Sequence, residues 1–297
     1  MQYTPDISHL SKAIRKMALE AAQKLPKNNL AAKITNQSIL RPIDYMRCAE
    51  FDAILRGLDI APGTRILDVS SPQWFSIYLA KTFPSTQFDY CNIIDSEIEP
   101  YKKLCHHLRI DNLRYHKEDV RKLSFDSDSF DKVLSISVIE HIYPEQGGDN
   151  DALQEIKRVL KPEGEMLLTI PYKDYRNIVY IDGEVYERGA KEKNFYAREY
   201  DKEMFEELIE DSGFTIRNAW YICEKKGLFS IDYWAWGPGK RIPFARFLVL
   251  KSRRVVERLF RCSVDEFLAR RYLRVSTQDC KRLVNIAAVL TNGEQVT

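Results

Sequence analysis

The sequence predicts an α/β protein: a doubly wound, mostly parallel seven-stranded sheet, with helices ahead of it and a helical insertion before its last strand. Three observations predict it. Short apolar runs alternate with amphipathic helical stretches from 62 to 222, helical periodicity fills the residues before them, and one more apolar run follows near the C-terminus. Residues 1–61 read as a helical cap. LSKAIRKMALEAAQKL brings Leu10, Ile14, Met17, Ala18, Ala21 and Leu25 to one face, Pro26 ends it, and RPIDYMRCAEFDAILRGL forms another helix closing at Gly57. After an Ala-Pro-Gly turn at 61–63, TRILDV fits a buried parallel strand. PQWFSIYLAKTF (helix), QFDYCNII (strand), EIEPYKKLCHHL (helix), NLRYHK and FDKVLSIS (strands) continue the alternation. DNDALQEIKRVL is a helix stopped by Lys161-Pro162-Glu163-Gly164, EMLLTIPY a fifth strand, and DKEMFEELIEDSG a helix capped by Asp201 and ended by Gly213. FTIRNAWYI is a sixth strand and RLVNIAAVLTNG the last, so that 62–222 is the core, 223–282 an insertion, and 283–297 the last strand and tail.

Composition narrows the function. Of 297 residues, 44% are hydrophobic and 30% charged, enough to build a core and unlike a disordered chain. The net charge of +2 announces neither nucleic acid nor membrane globally, so any such signal must be local. Cys48, Cys91, Cys105, Cys223, Cys262 and Cys280 form no CxxC pair and read as free thiols of a reducing compartment; no metal site is expected. The N-terminus lacks an apolar signal core, and no apolar run is long enough to span a bilayer, which leads to the expectation of a cytoplasmic protein, at most attached to a membrane surface.

In open α/β sheets ligands bind beyond the carboxyl ends of the strands. The first strand therefore aims Asp68-Val69-Ser70-Ser71-Pro72 at any ligand. Ser71-Pro72 reads as a helix start with Ser as cap, whose free N–H groups suit a carboxylate or phosphate; equally, the pair simply turns strand into helix.

The block from 112 to 172 carries more. Asp119 follows the third strand, Ser129-Phe130-Asp131 opens the fourth, Glu140-His141 follows it, and Arg158-Val159-Leu160-Lys161-Pro162-Glu163-Gly164 leads into the fifth. With these motifs the chain resembles class I S-adenosylmethionine-dependent methyltransferases of the small-molecule and polyprenoid-type group, over roughly 62–222. The resemblance implies a Rossmann-like methyltransferase fold with S-adenosyl-L-methionine as cofactor. It also implies that Asp68, Ser70, Ser71 and Pro72 underlie the methionine and ribose, that Asn92 meets the ribose hydroxyls, that Asp119 and Val120 border the adenine, and that Ser135 and Ser137 line the methionine end. Two departures stand out. The family's three loop glycines are replaced by Ser70, Pro72 and Trp74, and its acidic residue ending the second strand by Asn92, with Asp95 as a fallback.

Methyl transfer asks the protein for orientation and, for a hydroxyl acceptor, a base. His141 is the candidate base; its plainer role is packing against Glu140 or a backbone carbonyl. Arg47, Tyr143 and Tyr172 are acceptor-side candidates, although Arg47 also suits an i,i+3 ion pair with Glu50. Between Lys240 and Arg282 there are 13 Lys/Arg against 4 Asp/Glu, a local net of +9. FARFLVLKSRRVVERLF reads as a basic amphipathic helix, and Tyr233, Trp234 and Trp236 as an aromatic surface. The helix suits an anionic membrane surface, or else packs its apolar face on the core. The expected function is O-methylation of a small, sugar-like or lipid-linked acceptor such as a lipid-linked glycan; nucleic acid is not expected. The alternative is a non-catalytic binding or scaffold protein on the same fold.

Overall fold

A computed structural model describes residues 7–26, 30–186, 188–225, 255, 257 and 263–293. Its N-terminal helices are α1 (Ile7–Lys24), α2 (Leu30–Leu40) and α3 (Tyr45–Gly57). The core follows as β1 (Arg65–Val69), α4 (Gln73–Thr82), β2 (Gln87–Asn92), α5 (Asp95–Leu108), β3 (Leu113–Lys117) and β4 (Phe130–Ile136). Then come α6 (Gly148–Val159), β5 (Leu160–Pro171), β6 (Asn177–Glu184), β7 (Ala190–Glu199), α7 (Lys202–Ser212) and β8 (Thr215–Glu224). The last described elements are α8 (Val264–Tyr272), β9 (Leu273–Ser276) and β10 (Leu283–Thr291).

The main sheet runs β3-β2-β1-β4-β5-β10-β8-β9. β1 to β5 are mutually parallel, and β10 lies antiparallel between β5 and β8. The chain leaves β1 toward β2 on one side and returns to β4 on the other, which opens a crevice above their carboxyl ends. Strand alternation divides two buried layers. Ile66 of β1 packs with helices α1, α3, α4 and α5, whereas Leu67 and Val69 face α6 and α7. The apolar face read for α1 is the buried one.

Several readings need correction. The described residues form an eight-stranded sheet rather than a seven-stranded one, because β9, within the segment read as an insertion, adds antiparallel to β8. Ser71 does not cap α4: Pro72 is the N-cap, and Ser71 Oγ accepts from the Ile136 amide at 3.1 Å. The helix α6 ends at Val159, just ahead of Lys161–Gly164 as read, but these four residues already belong to β5. A disulfide joins Cys223 to Cys280, so these two are not free thiols, while Cys48, Cys91 and Cys105 are buried and free. The hairpin β6–β7, antiparallel and separate from the main sheet, has no strong sequence signal, since most of its side chains are exposed or half-buried. Asp201 and Gly213 behave as read: the Asp201 carboxylate accepts from the Met204 amide, and Gly213 has φ +69°. Tyr233, Trp234, Trp236 and most of the basic run 244–260 lie outside the described residues.

One buried carboxylate ties α3 to the sheet. Glu50 is completely buried, and its Oε1 accepts from Ser137 Oγ (2.5 Å), Thr169 Oγ1 (3.1 Å) and Asn285 Nδ2 (2.7 Å). Its Oε2 accepts from Arg47 Nη1 at 2.5 Å. The Arg47–Glu50 pair is therefore not a solvated helix pair but part of a network joining α3 to β4, β5 and β10. Nearby, the last turn of α3 approaches the sheet so closely that a Cβ on Gly57 would sit 2.6 Å from Val289 Cγ2.

Removing one partner of a buried charged network leaves the others unsatisfied, at a cost of about 3–5 kcal/mol. Glu50→Ala is expected to lose that much stability in urea denaturation, and Glu50→Gln less, since the amide keeps an acceptor for one or two donors.

Candidate active site

Two adjoining cavities, of about 430 and 360 Å³, lie beyond the carboxyl ends of β1, β2, β3 and β4 and share Arg47, Ser70, Glu97 and Ser137. Two serines at strand ends are held in the left-handed region, Ser70 at φ 53° and Ser137 at φ 50°. The conformation that glycine usually supplies is thus retained at Ser70 without glycine, at a cost of order 1–3 kcal/mol. Ser70 is held there by its amide and its hydroxyl, both donating to the Cys91 carbonyl at 2.9 Å. Pro72 lines the smaller cavity. Trp74 lines neither; it is buried and edge-on to Tyr101 at 6.4 Å.

Asn92, ending β2, lines the larger cavity, but both ends of its amide are engaged: Oδ1 accepts from the Ile94 amide (2.8 Å) and Nδ2 donates to Glu97 Oε2 (3.1 Å). The carboxylate this end of the site offers is therefore that of Glu97, on the first turn of α5. Sequence reading missed it because it stands five residues beyond the expected position. Asp95 is instead paired with Lys117 at 3.1 Å. Asp119 and Val120 line the larger cavity together with Ile93. Arg121 donates to Asp119 through its backbone amide and Nε, both at 3.0 Å, and this holds the carboxyl below its ordinary range.

The opposite wall comes from the segment after β4 and from the β6–β7 hairpin. His141 lines the cavity, and its Nδ1 donates to the Tyr196 carbonyl at 2.7 Å, which assigns the tautomer and leaves the Nε2 lone pair free. Nε2 lies 3.7 Å from Glu140 Oε1. Burial lowers the His141 pKa, so the ring is neutral in the neutral pH range. Burial also pushes Glu140 up to about 8, and its Oε2 is buried without a hydrogen-bond partner. Tyr143, Tyr186 and Tyr196 complete this wall. The segment is held by Arg198, which is 1% exposed and donates to the carbonyls of Ile142 (2.9 Å) and Pro144 (2.6 Å). Arg198 pairs in turn with Asp149 at 3.2 Å.

Three expected site residues lie outside both cavities. Asp68 is fully buried beneath the turn, accepting from the Ser71 amide (3.0 Å) and Ser76 Oγ (2.5 Å); it shapes the turn from below. Ser135 is fully buried within β4 beside Leu168 of β5. Tyr172 packs between Phe205 and Tyr221 in the core under α7.

Residues 67–168 match the family described as "Methyltransferase domain". The matched segment is a methyltransferase domain, and the sheet around it has the Rossmann-like methyltransferase fold. The cofactor that goes with it is S-adenosyl-L-methionine. Among solved structures, the O-methyltransferase of a trans-AT polyketide synthase multienzyme of Brevibacillus brevis, in complex with S-adenosyl-L-homocysteine, is similar at 15% identity, with a TM-score of 0.54 over 92% of this chain and 82% of that one. The [4+2]-cyclase SpnF is similar at 15% identity, with a TM-score of 0.53 over 83% of this chain and 82% of that one. No curated protein matches the chain. Among the described residues, no helix is long and apolar enough to cross a membrane.

Asp68 links this site to stability. Burial raises its pKa from 3.8 to about 6, against the opposing hydrogen bonds from Ser76 and Ser71. An acid with a raised folded-state pKa stabilises the fold when protonated. That contribution is present below the unfolded value and lost as pH rises through the folded one. The stability of the wild type relative to Asp68→Asn is therefore expected to fall by about 3 kcal/mol between about pH 3 and pH 7, read from urea denaturation at each pH.

Proposed function

We propose that the protein is an active S-adenosyl-L-methionine-dependent methyltransferase acting on an oxygen of a small, sugar-like or lipid-linked acceptor. The observation that carries this reading is the cavity beyond β1–β4: it joins strained strand-end serines and a carboxylate at one wall to a neutral histidine with a free Nε2 at the other. A volume of about 430 Å³, continuous with a second cavity, suits a nucleoside-sized ligand. The residues fit the cofactor. Ser70 and Ser137 would border its methionine end, Ile93 and Val120 the adenine faces, and Asp119 the adenine amino group. Asn92 would act through Glu97, orienting that carboxylate toward the ribose hydroxyls. When bound, the cofactor supplies a methyl group activated on a sulfonium.

His141 then serves the acceptor. Its Nδ1–H is committed to the Tyr196 carbonyl, so Nε2 takes the proton of an acceptor hydroxyl as the oxygen becomes nucleophilic. Arg47 and Tyr143 orient the acceptor from the cavity wall, and the tyrosines of the hairpin favour a ring-shaped one. The alternative, a non-catalytic binding or scaffold protein that has lost the cofactor, draws on one observation: the amide of Asn92 and the carboxylate of Asp119 already have partners within the chain.

Calorimetry with S-adenosyl-L-homocysteine separates the two. Saturable binding is expected, with about 2.7 kcal/mol of added stability at a hundredfold excess over Kd; no binding at millimolar ligand selects the scaffold. His141→Ala is expected to keep that affinity and lose roughly 10²–10⁴-fold in turnover. Because the His141 pKa is lowered, the acid limb of the wild-type rate profile should fall below pH 6.5 and vanish in the variant. For the membrane-surface reading of 240–282, co-sedimentation with anionic liposomes should rise with anionic lipid and fall with salt; no binding at low salt removes it.

A further inference from the structure

The β6–β7 hairpin brings a cation into the cavity wall as well as tyrosines. The guanidinium of Arg188 lies over the rings of Tyr143, Phe195 and Tyr186, at 5.0, 5.4 and 5.9 Å from their centroids. Its Nη2 donates to the Phe195 carbonyl at 2.7 Å, while Nη1 is buried and has no hydrogen-bond partner. The cavity's other arginines are neutralised: Arg47 by Glu50 and Arg121 by Asp119. Arg188 has no carboxylate partner among the described residues. Its surroundings are charge-poor enough that burial holds it below the ordinary guanidinium value, opposed by Tyr186 and Tyr143 alone.

A half-buried guanidinium without an anion is costly. The aromatic faces offset part of that cost but cannot accept the Nη1 hydrogens. If Arg188 served only to brace the hairpin tip, its contacts with backbone carbonyls would suffice, and no buried donor would be left unmet on a residue that lines the cavity. Arg188, which carries this unmet donor, lines the same cavity as His141, whose ring meets Tyr186 edge-on at 5.8 Å.

We infer that the acceptor carries an acidic group, a carboxylate or phosphate, which docks on Arg188 in this aromatic box while its hydroxyl faces His141. The inference rests on the methyltransferase reading for the hydroxyl, but not for the anion subsite itself. Charge-assisted hydrogen bonds from a desolvated guanidinium make such a group a specificity element: a neutral analogue leaves the donor unmet.

The test compares 4-hydroxybenzoate with 4-hydroxybenzamide, and glucose 6-phosphate with glucose, by calorimetry on the full chain, with and without S-adenosyl-L-homocysteine. In at least one pair the acid should bind about tenfold or more tighter than its neutral counterpart. The first pair winning identifies a carboxylate, the second a phosphate. Arg188→Gln should abolish the preference, and Arg188→Lys, which keeps the charge, should retain part of it. Both variants are checked for wild-type circular dichroism and for unchanged S-adenosyl-L-homocysteine affinity. Equal binding of acid and neutral forms, a preference that survives Arg188→Gln, or no saturable acid binding up to tens of millimolar overturns the subsite. If S-adenosyl-L-homocysteine fails to bind, the cofactor reading fails, and the comparison on the cofactor-free chain still decides Arg188.

Discussion

The site depends on a carboxylate that no solvent reaches. Glu50 gathers donors from its own helix and from β4, β5 and β10, and so fixes α3 across the carboxyl edge of the sheet. Two consequences follow. Arg47, neutralised by Glu50, is held at the boundary shared by the two cavities. Ser137, donating to Glu50, is kept in a left-handed conformation that a serine rarely adopts unaided. A buried charge is weak evidence for net stability, but it fixes geometry strongly, because every displaced donor would leave an unsatisfied group.

Opposite this edge, a second buried charge performs the corresponding task. Arg198, paired with Asp149, gathers the carbonyls of the segment that carries His141 and Tyr143. The cavity therefore lies between two rigid supports: Glu50 under the helix side and Arg198 under the hairpin side. Between them the lining groups stay in different electrostatic states. Asp119 is held ionised by Arg121, Glu140 is pushed toward its neutral form, and His141 is kept uncharged. Environments that drive titratable groups apart in this way are characteristic of sites that handle protons.

Much of the fold was legible in local pattern. Apolar runs such as RILDV and amphipathic stretches such as that of α1 carry their element type in their spacing, and the Asp201 cap and Gly213 stop follow from backbone chemistry confined to a few residues. The β6–β7 hairpin was not legible, since its alternation is diluted by exposed polar side chains, and β9 is too short to signal itself. In the site, the strand ends pointed to Ser70, Asn92, Asp119, Val120, Ser137 and His141, all of which line the larger cavity. Asp68 and Ser135 shared those strand ends but are buried beneath the surface, because burial at a strand end depends on which face the helices cover.

By itself, the sequence determined the order of strands and helices from β1 to β5, the crevice where a ligand belongs and the missing loop glycines, because each of these is written in neighbouring residues. Tertiary structure alone decided that Asn92 serves Glu97, that Trp74 turns into the core, that the Arg47–Glu50 pair is tied to β5 and β10, and that Arg188 has no carboxylate partner among the described residues. Those outcomes depend on how the helices and strands pack around each side chain, where burial and the choice of partner, rather than spacing along the chain alone, set the charge and the reach of each group.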